Sequence, residues 1–373
     1  MRKKQRGLAG FVLGIFMLGV LVLPGWAAEP EQPTEAETAP PVQERTMTLE
    51  EAVAYAQEHS LLIKQAEAQS QLTNIAYQQA RAAARNISKT TTFIERYTRD
   101  VAPQIAELNL EYVDKVKAST VNMILLQVER AYYAVINAEE ALAIGQRSLA
   151  RAEEQLRLTD LRLQAGTASQ IEVKQAEAAV IGSQTLVIAL SNTLNQMRRE
   201  LNAALVLDND IIIHTVGGAK FVPERYDLSV LLAKALAEDY NLLKAEIDFQ
   251  SADLAATLLN YYYGNIWDTR NAQAQRSLAE TNLERIRTNL DNSVRTTYET
   301  YLTVGAQYES YTKIVELQAE AYRLQQLKYE VGMSTFEEVN RSADALKAAE
   351  ADVTACVYNH NLLKTAMKYN IYI

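Results

Sequence analysis

The stretch Leu324–Leu346, LQQLKYEVGMSTFEEVNRSADAL, carries an apolar helical pattern into Tyr329, breaks at Gly332 over a few small residues, and resumes at Val339. A second stretch, Leu158–Val180 (LTDLRLQAGTASQIEVKQAEAAV), does the same around Gly166, 166 residues earlier. At that offset Leu158 matches Leu324, Leu161 matches Leu327, Arg162 matches Lys328, Glu172 matches Glu338 and Val173 matches Val339. Further back, Val128 and Tyr132 match Val294 and Tyr298. Helix, glycine break and helix, twice in register, predict a duplicated helical hairpin. At each break glycine lets the chain leave one long helix and enter the next without a Cβ clash.

The helices on either side of the breaks carry one seam. Val128, Val135, Leu142, Leu149, Leu156 and Leu163 recur every seven residues, and Ala131, Ala138, Gly145 and Ala152 follow four of them three residues later. Apolar and small residues at that spacing predict a coiled-coil-like contact between closely approaching backbones. After Gly166 the seam runs on as Val173, Val180, Val187, Leu194 and Leu201. The second copy repeats it as Val294, Tyr301, Tyr308, Val315, Tyr322 and Tyr329, then Val339, Leu346, Val353, His360 and Met367. Tyrosine in place of aliphatic residues widens the seam and adds hydroxyls that need partners.

Long helices also fit the composition of the 373-residue chain, in which glycine and proline are scarce at 13 and 7. The formal net charge is −9, and loss of Arg2, Lys3, Lys4 and Arg6 with the leader described next takes it to −13. An acidic surface without a concentrated basic patch argues against nucleic acid as a partner. A single cysteine, Cys356, excludes an intrachain disulfide. Its place in an apolar heptad reads as a small core residue rather than a reactive thiol.

Residues 1–28 read as a secretory signal, with a basic start, an apolar core at Leu8–Leu23 and a small-x-small site at Gly25-Trp26-Ala27. The apolar run is short for a spanning helix, which needs about 20 residues. Residues 29–46, acidic and rich in proline, read as a disordered linker. The first helical repeat covers 47–205 and opens with a capping box at Thr48-Leu49-Glu50-Glu51. Its helices are expected at Leu49–Glu58 and from Leu61 to about Arg85, with a weak signal over Asn86–Lys117, where Pro103 argues against a continuous helix. A connector, 206–226, holds the β-like run Ile211-Ile212-Ile213 and then Gly217-Gly218 and Pro223. The second repeat, 227–373, begins with SVLLAKALAEDYNLLKAEI, which parallels EEAVAYAQEHSLLIKQAEA of the first.

The two glycine turns LQAGTASQIEVKQAEA and YEVGMSTFEEVNRSADA, the opening TLEEAVAYAQEHSLLIKQAEA and the segment VERAYYAVINAEEAL together resemble the TolC-like outer-membrane efflux family, over about residues 47–370. That resemblance implies a homotrimer whose hairpins form an α-helical tunnel through the periplasm, capped by a β-barrel in the outer membrane. It also implies that the turns at Gly166 and Gly332 dock a periplasmic adaptor, which joins the tunnel to an inner-membrane pump.

The sequence departs from the family at the barrel. A membrane strand reads as about ten residues of alternating character. Neither RNISKTTTFIERYTRDVAPQIAEL nor the shorter second tip, LLNYYYGNIWDTRNAQAQ, alternates in that way. The expected fold is therefore all-α, a pair of long antiparallel hairpins with the barrel strands reduced or absent. Tyr261-Tyr262-Tyr263 with Trp267 reads either as a remnant aromatic anchor or as a packed tip.

The resemblance also places functional residues. Acidic rings at the periplasmic mouth map to Glu338 and Arg341, the second of opposite charge here, so that the two are able to pair with each other or across protomers. Polar links that hold the family's mouth shut map to Glu172, Tyr329 and Ser334, and Ser334 lacks the cationic group such a link uses. The remaining glutamates read as solvated helix faces. His59, His214 and His360 fall in no ligand spacing, and no phosphate loop or nucleophile motif is present, so no enzyme, metal or cofactor is expected. Two readings follow. One is a passive efflux conduit at the outer membrane and periplasm, working with an adaptor and a pump; the other is a non-conducting periplasmic coiled-coil scaffold.

Overall fold

The computed structural model describes residues 43–372 apart from 90, 91, 209, 219 and 262–264. In it the capping box at Thr48 forms as read: the Glu51 amide donates to Thr48 Oγ1 (3.2 Å), and the Thr48 amide donates to Glu51 Oε2 (2.8 Å). This closes the N-terminus of α1 (Leu49–His59). Ser60 takes an extended conformation, and α2 (Leu61–Arg85) starts at the next residue. A reciprocal Thr92–Glu95 pair then opens the short α3 (Phe93–Arg96), which runs through a π-helical turn at Tyr97–Val101 into α4 (Ala102–Gln164).

Here the structure corrects one expectation. Pro103 does not interrupt the helical run that begins at Phe93: it stands where the π-helical turn at Tyr97–Val101 gives way to α4, and its fixed φ suits a helix. The 63 residues of α4 span roughly 95 Å at the usual rise.

The rest of the chain is α5 (Gln170–Leu205), α6 (Leu228–Glu238), α7 (Tyr240–Tyr261), α8 (Ile266–Glu330) and α9 (Phe336–Lys368). α4 pairs with α5 and α8 with α9, while α2 lies along α4 and α7 along α8. The α4–α9 contact joins the two repeats. Every seam residue read from the heptads is buried or half-buried. The close approach read at Gly145 is real: a Cβ there would stand 2.6 Å from Leu190 Cδ1. Cys356 is a buried core thiol whose Sγ lies 3.4 Å from the Val304 carbonyl, and burial pushes its pKa up.

Part of the expected linker is ordered. β1 (Gln43–Met47) pairs in parallel with β2 (Ile211–Thr215), Arg45 opposite Ile213. The polar run QERTM has little strand character of its own, and its backbone partner comes from the connector. Tyr132, fully buried in α4, locks the pair, donating to the Met47 carbonyl and accepting from the Val216 amide, each at 2.9 Å. The rest of the linker and the whole signal segment lie outside the described residues, as do Tyr262 and Tyr263.

Among the described residues these two strands are the only β-structure. They lie at the connector rather than at the hairpin tips, and no barrel closes, so the fold is the expected all-α hairpin pair. No helix among those residues is long and apolar enough to cross a membrane.

The connector also packs on a buried histidine. His360 sits among the rings of Phe221 (4.3 Å between centroids) and Tyr301 (4.9 Å), with Glu224 and Lys364 as its charged neighbours. Burial lowers its pKa from the ordinary 6.5. The unfolded chain therefore takes up this proton more readily than the folded one, so the contribution is complete above pH 6.5 and is lost as pH falls through the lowered folded value. The wild type should lose stability below pH 6.5 faster than His360→Gln does, as read from denaturation midpoints across the acid range. Equal slopes would show that His360 charges freely in the folded protein.

Candidate functional site at the paired glycine turns

The two turns share one construction. Gly166 and Gly332 adopt φ of +74° and +80°, conformations in which a Cβ is strained. In the first, the Thr167 amide donates to Arg162 O (2.8 Å) and the Gly166 amide to Leu163 O (2.9 Å). In the second, Met333 donates to Lys328 O (2.8 Å) and Gly332 to Tyr329 O (3.0 Å). Each is a Schellman end, satisfying the last carbonyls of a long helix. Three residues after each glycine, Ser169 or Thr335 caps the next helix, with Glu172 or Glu338 closing the box. The pattern S/T-x-x-E in SQIE and TFEE was available in the sequence and was not used there.

This construction changes what the predicted residues do. Glu338 Oε2 accepts from the Thr335 amide (2.9 Å) and from Ser334 Oγ (2.9 Å), and Oε1 lies outside that network. The Thr335 backbone N–H, then the Ser334 and Thr335 hydroxyls, hold its pKa below the usual carboxylate range, so it stays anionic. Arg341 does not hydrogen-bond to it; its guanidinium lies 3.0 Å from Glu337, one turn back on the exposed face. Glu172 is likewise engaged with Ser169, whose amide donates to Oε2 at 2.7 Å. Ser334 accepts from Gln325 Nε2 and donates to Glu338.

The three latch residues are therefore not brought onto one another. What joins the two hairpins near the turns is Tyr329 with a different partner. Its side chain is 0% exposed, its hydroxyl lies 2.9 Å from Thr159 Oγ1, and the Arg162 guanidinium sits 4.1 Å above its ring. One heptad back, Arg151 stands over Tyr322 at 6.0 Å. Arg151, Gln155, Thr159 and Arg162 share one face of α4, since they are three or four residues apart. The seam tyrosines carried the signal that hydroxyl partners were needed; the partners themselves, on another hairpin, could not be assigned locally.

Large apolar side chains crowd the same end. Ile171, Val331 and Met333 are exposed, Met333 to 81%. Among the described residues no cluster of three His, Cys, Asp or Glu side chains forms a metal site.

The chain, a duplicated pair of long helical hairpins, has the fold of solved outer-membrane channels. The chain superimposes on the outer membrane protein VceC of Vibrio cholerae with a TM-score of 0.71 at 12% identity, covering 86% of this chain and 95% of that one. The CmeC outer membrane channel of Campylobacter jejuni gives 0.67 at 12% identity over 86% and 85%. The open-state MtrE outer membrane channel of Neisseria gonorrhoeae gives 0.62 at 14% over 87% and 89%. No family model matches the sequence, and no curated protein does.

Proposed function

We propose that the chain is one protomer of a TolC-like efflux conduit in the cell envelope, a homotrimer that conducts passively and carries no catalytic activity. The observation that supports this most directly is the repetition of one complete turn, Schellman end plus capping box, 166 residues apart at the same end of a channel-like fold. Near-equivalent units are what closing a tube by symmetry requires. On this reading the Gly166 and Gly332 turns, with Ile171, Val331 and Met333 exposed beside them, receive the adaptor that joins the conduit to an inner-membrane pump. Tyr329 with Thr159 holds the hairpins together, and Glu338 with Arg341 lines the mouth. The alternative, a non-conducting periplasmic scaffold, is favoured by the lack of strands at the described hairpin tips. Single-channel conductance of the purified chain in planar bilayers separates the two readings.

Glu338→Gln tests the constriction without removing the cap, because glutamine also serves at the third position of a capping box. Reduced cation selectivity and weaker block by multivalent cations are expected, with unchanged helicity. If both properties stay at wild-type values, Glu338 does not face the lumen.

A further inference from the structure

Between α4, α5, α8 and α9 lies a cavity of about 230 Å³. Ser148, Arg151 and Gln155 line it from α4, Ser183 from α5, Tyr322 from α8 and Lys347 from α9. Its polar groups are incompletely satisfied. Gln155 is 5% exposed, yet neither its amide nitrogen nor its amide oxygen has a hydrogen-bond partner. Arg151, 18% exposed, has Nε and Nη2 without one. Glu350 is the nearest carboxylate to that guanidinium, 3.5 Å from Nη2 and not in hydrogen-bonding geometry.

Leaving buried polar groups unpaired is costly, and on the same face of α4 Thr159 does find a partner, the Tyr329 hydroxyl. The atoms without a hydrogen bond are three donors, Arg151 Nε and Nη2 and Gln155 Nε2, and two acceptors, Gln155 Oε1 and Glu350 Oε2; Arg151 Nη2 and Glu350 Oε2 form an ion pair, which leaves Arg151 Nε and the Gln155 amide turned to the cavity. Burial pushes the Tyr322 phenol up, so at neutral pH it too is able to donate. Lys347 adds positive charge, tempered by Asp344 at 2.9 Å.

We propose that this cavity is a binding site for a small oxyanion, of carboxylate or phosphate size, held by the Arg151 guanidinium and the Gln155 amide. Planar guanidinium donors match such oxygens in pairs. An occupant would touch Arg151 and Gln155 of the first hairpin and Tyr322 and Lys347 of the second, bracing one against the other. The inference does not depend on the conduit reading, because it concerns binding alone.

Titration calorimetry with inorganic phosphate and with acetate, on the folded chain in detergent at constant ionic strength, tests it. Saturable binding of at least one anion, with a matching rise in unfolding temperature, is expected. Gln155→Leu should weaken it at least tenfold. Gly182→Leu narrows the cavity from the α5 wall, where a Cβ meets no heavy atom within 4 Å, and should do the same while keeping wild-type helicity. Arg157→Gln, on the exposed face beside Glu154, should leave binding unchanged. Absence of saturable binding by both anions overturns the proposal, as does full affinity in Gly182→Leu.

Discussion

Tyr329→Ala should cost roughly 3–5 kcal/mol of stability, the range for emptying a fully buried aromatic site. The ring is 0% exposed and packs with Phe336, Val339 and Leu346 of α9 in one cluster that also takes in Ala176 of the first hairpin. The loss would combine that packing, the hydroxyl contact to Thr159 and the Arg162 guanidinium above the ring. Tyr329→Phe separates these parts. It keeps the ring and its cation–π contact and gives up one hydrogen bond, for about 1 kcal/mol. Denaturation midpoints followed by far-UV circular dichroism measure both. A cycle with Thr159→Val should return a coupling of about 0.5–1.5 kcal/mol, because the Tyr329 hydroxyl donates to Thr159 Oγ1, whose own proton goes to the Gln155 carbonyl. An alanine variant no weaker than the phenylalanine one would mean that the ring does not hold the hairpins together. In bilayers, the same weakening at the turn end should favour the open conduit if the proposed function holds.

The hairpins were legible because their signals are local and periodic. Val128 and Val135, or Val339 and Leu346, recur every seven residues and are buried, and the glycines that end the helices take the left-handed conformation that only glycine adopts without strain. Pro103 misled because a proline inside a helical pattern reads as a break, while the helix runs through it directly after the π-helical turn at Tyr97–Val101. β1 could not be read from QERTM, since its hydrogen bonds come from a strand 168 residues further on.

The site was legible in position and not in partnership. Gly166, Gly332, Glu172 and Glu338 were all marked by the internal repeat, and all four build the turns. The family's polar links map by resemblance to Glu172, Tyr329 and Ser334. Within the chain Glu172 closes the cap of its own helix, because a carboxylate three residues past a serine or threonine finds those amides first, and Ser334 donates to Glu338 within its own turn. Tyr329 is the exception, reaching Thr159 across 170 residues.

Glu129 shows the same limit at the connector end, where reading helix-face glutamates as solvated surface does not hold. It is 3% exposed and accepts from Thr365 Oγ1 (2.9 Å), Lys368 Nζ (2.8 Å) and Tyr369 OH (2.5 Å), fastening α4 to the end of α9. Glu129→Leu would leave the Thr365 and Tyr369 hydroxyls buried and unpaired, and should cost about 3 kcal/mol. Glu129→Gln keeps the shape but turns an amide donor toward other donors, and should cost roughly half as much. An alkaline signature distinguishes this network from simple packing. Burial alone would lower the Lys368 amine, but the Glu129 carboxylate and the Tyr369 phenol more than offset it and leave it raised; burial and Glu129 raise the Tyr369 phenol. Both groups thus hold their protons more tightly when folded. Their contribution is complete below the unfolded values near pH 10 and is lost as pH rises through the folded ones. Wild-type stability should fall above that point, and Glu129→Leu, having already lost the carboxylate that ties the two groups, should show a shallower decline. Parallel alkaline slopes in the two proteins would mean that Glu129 acts as a filler of space rather than as the acceptor that joins the repeats.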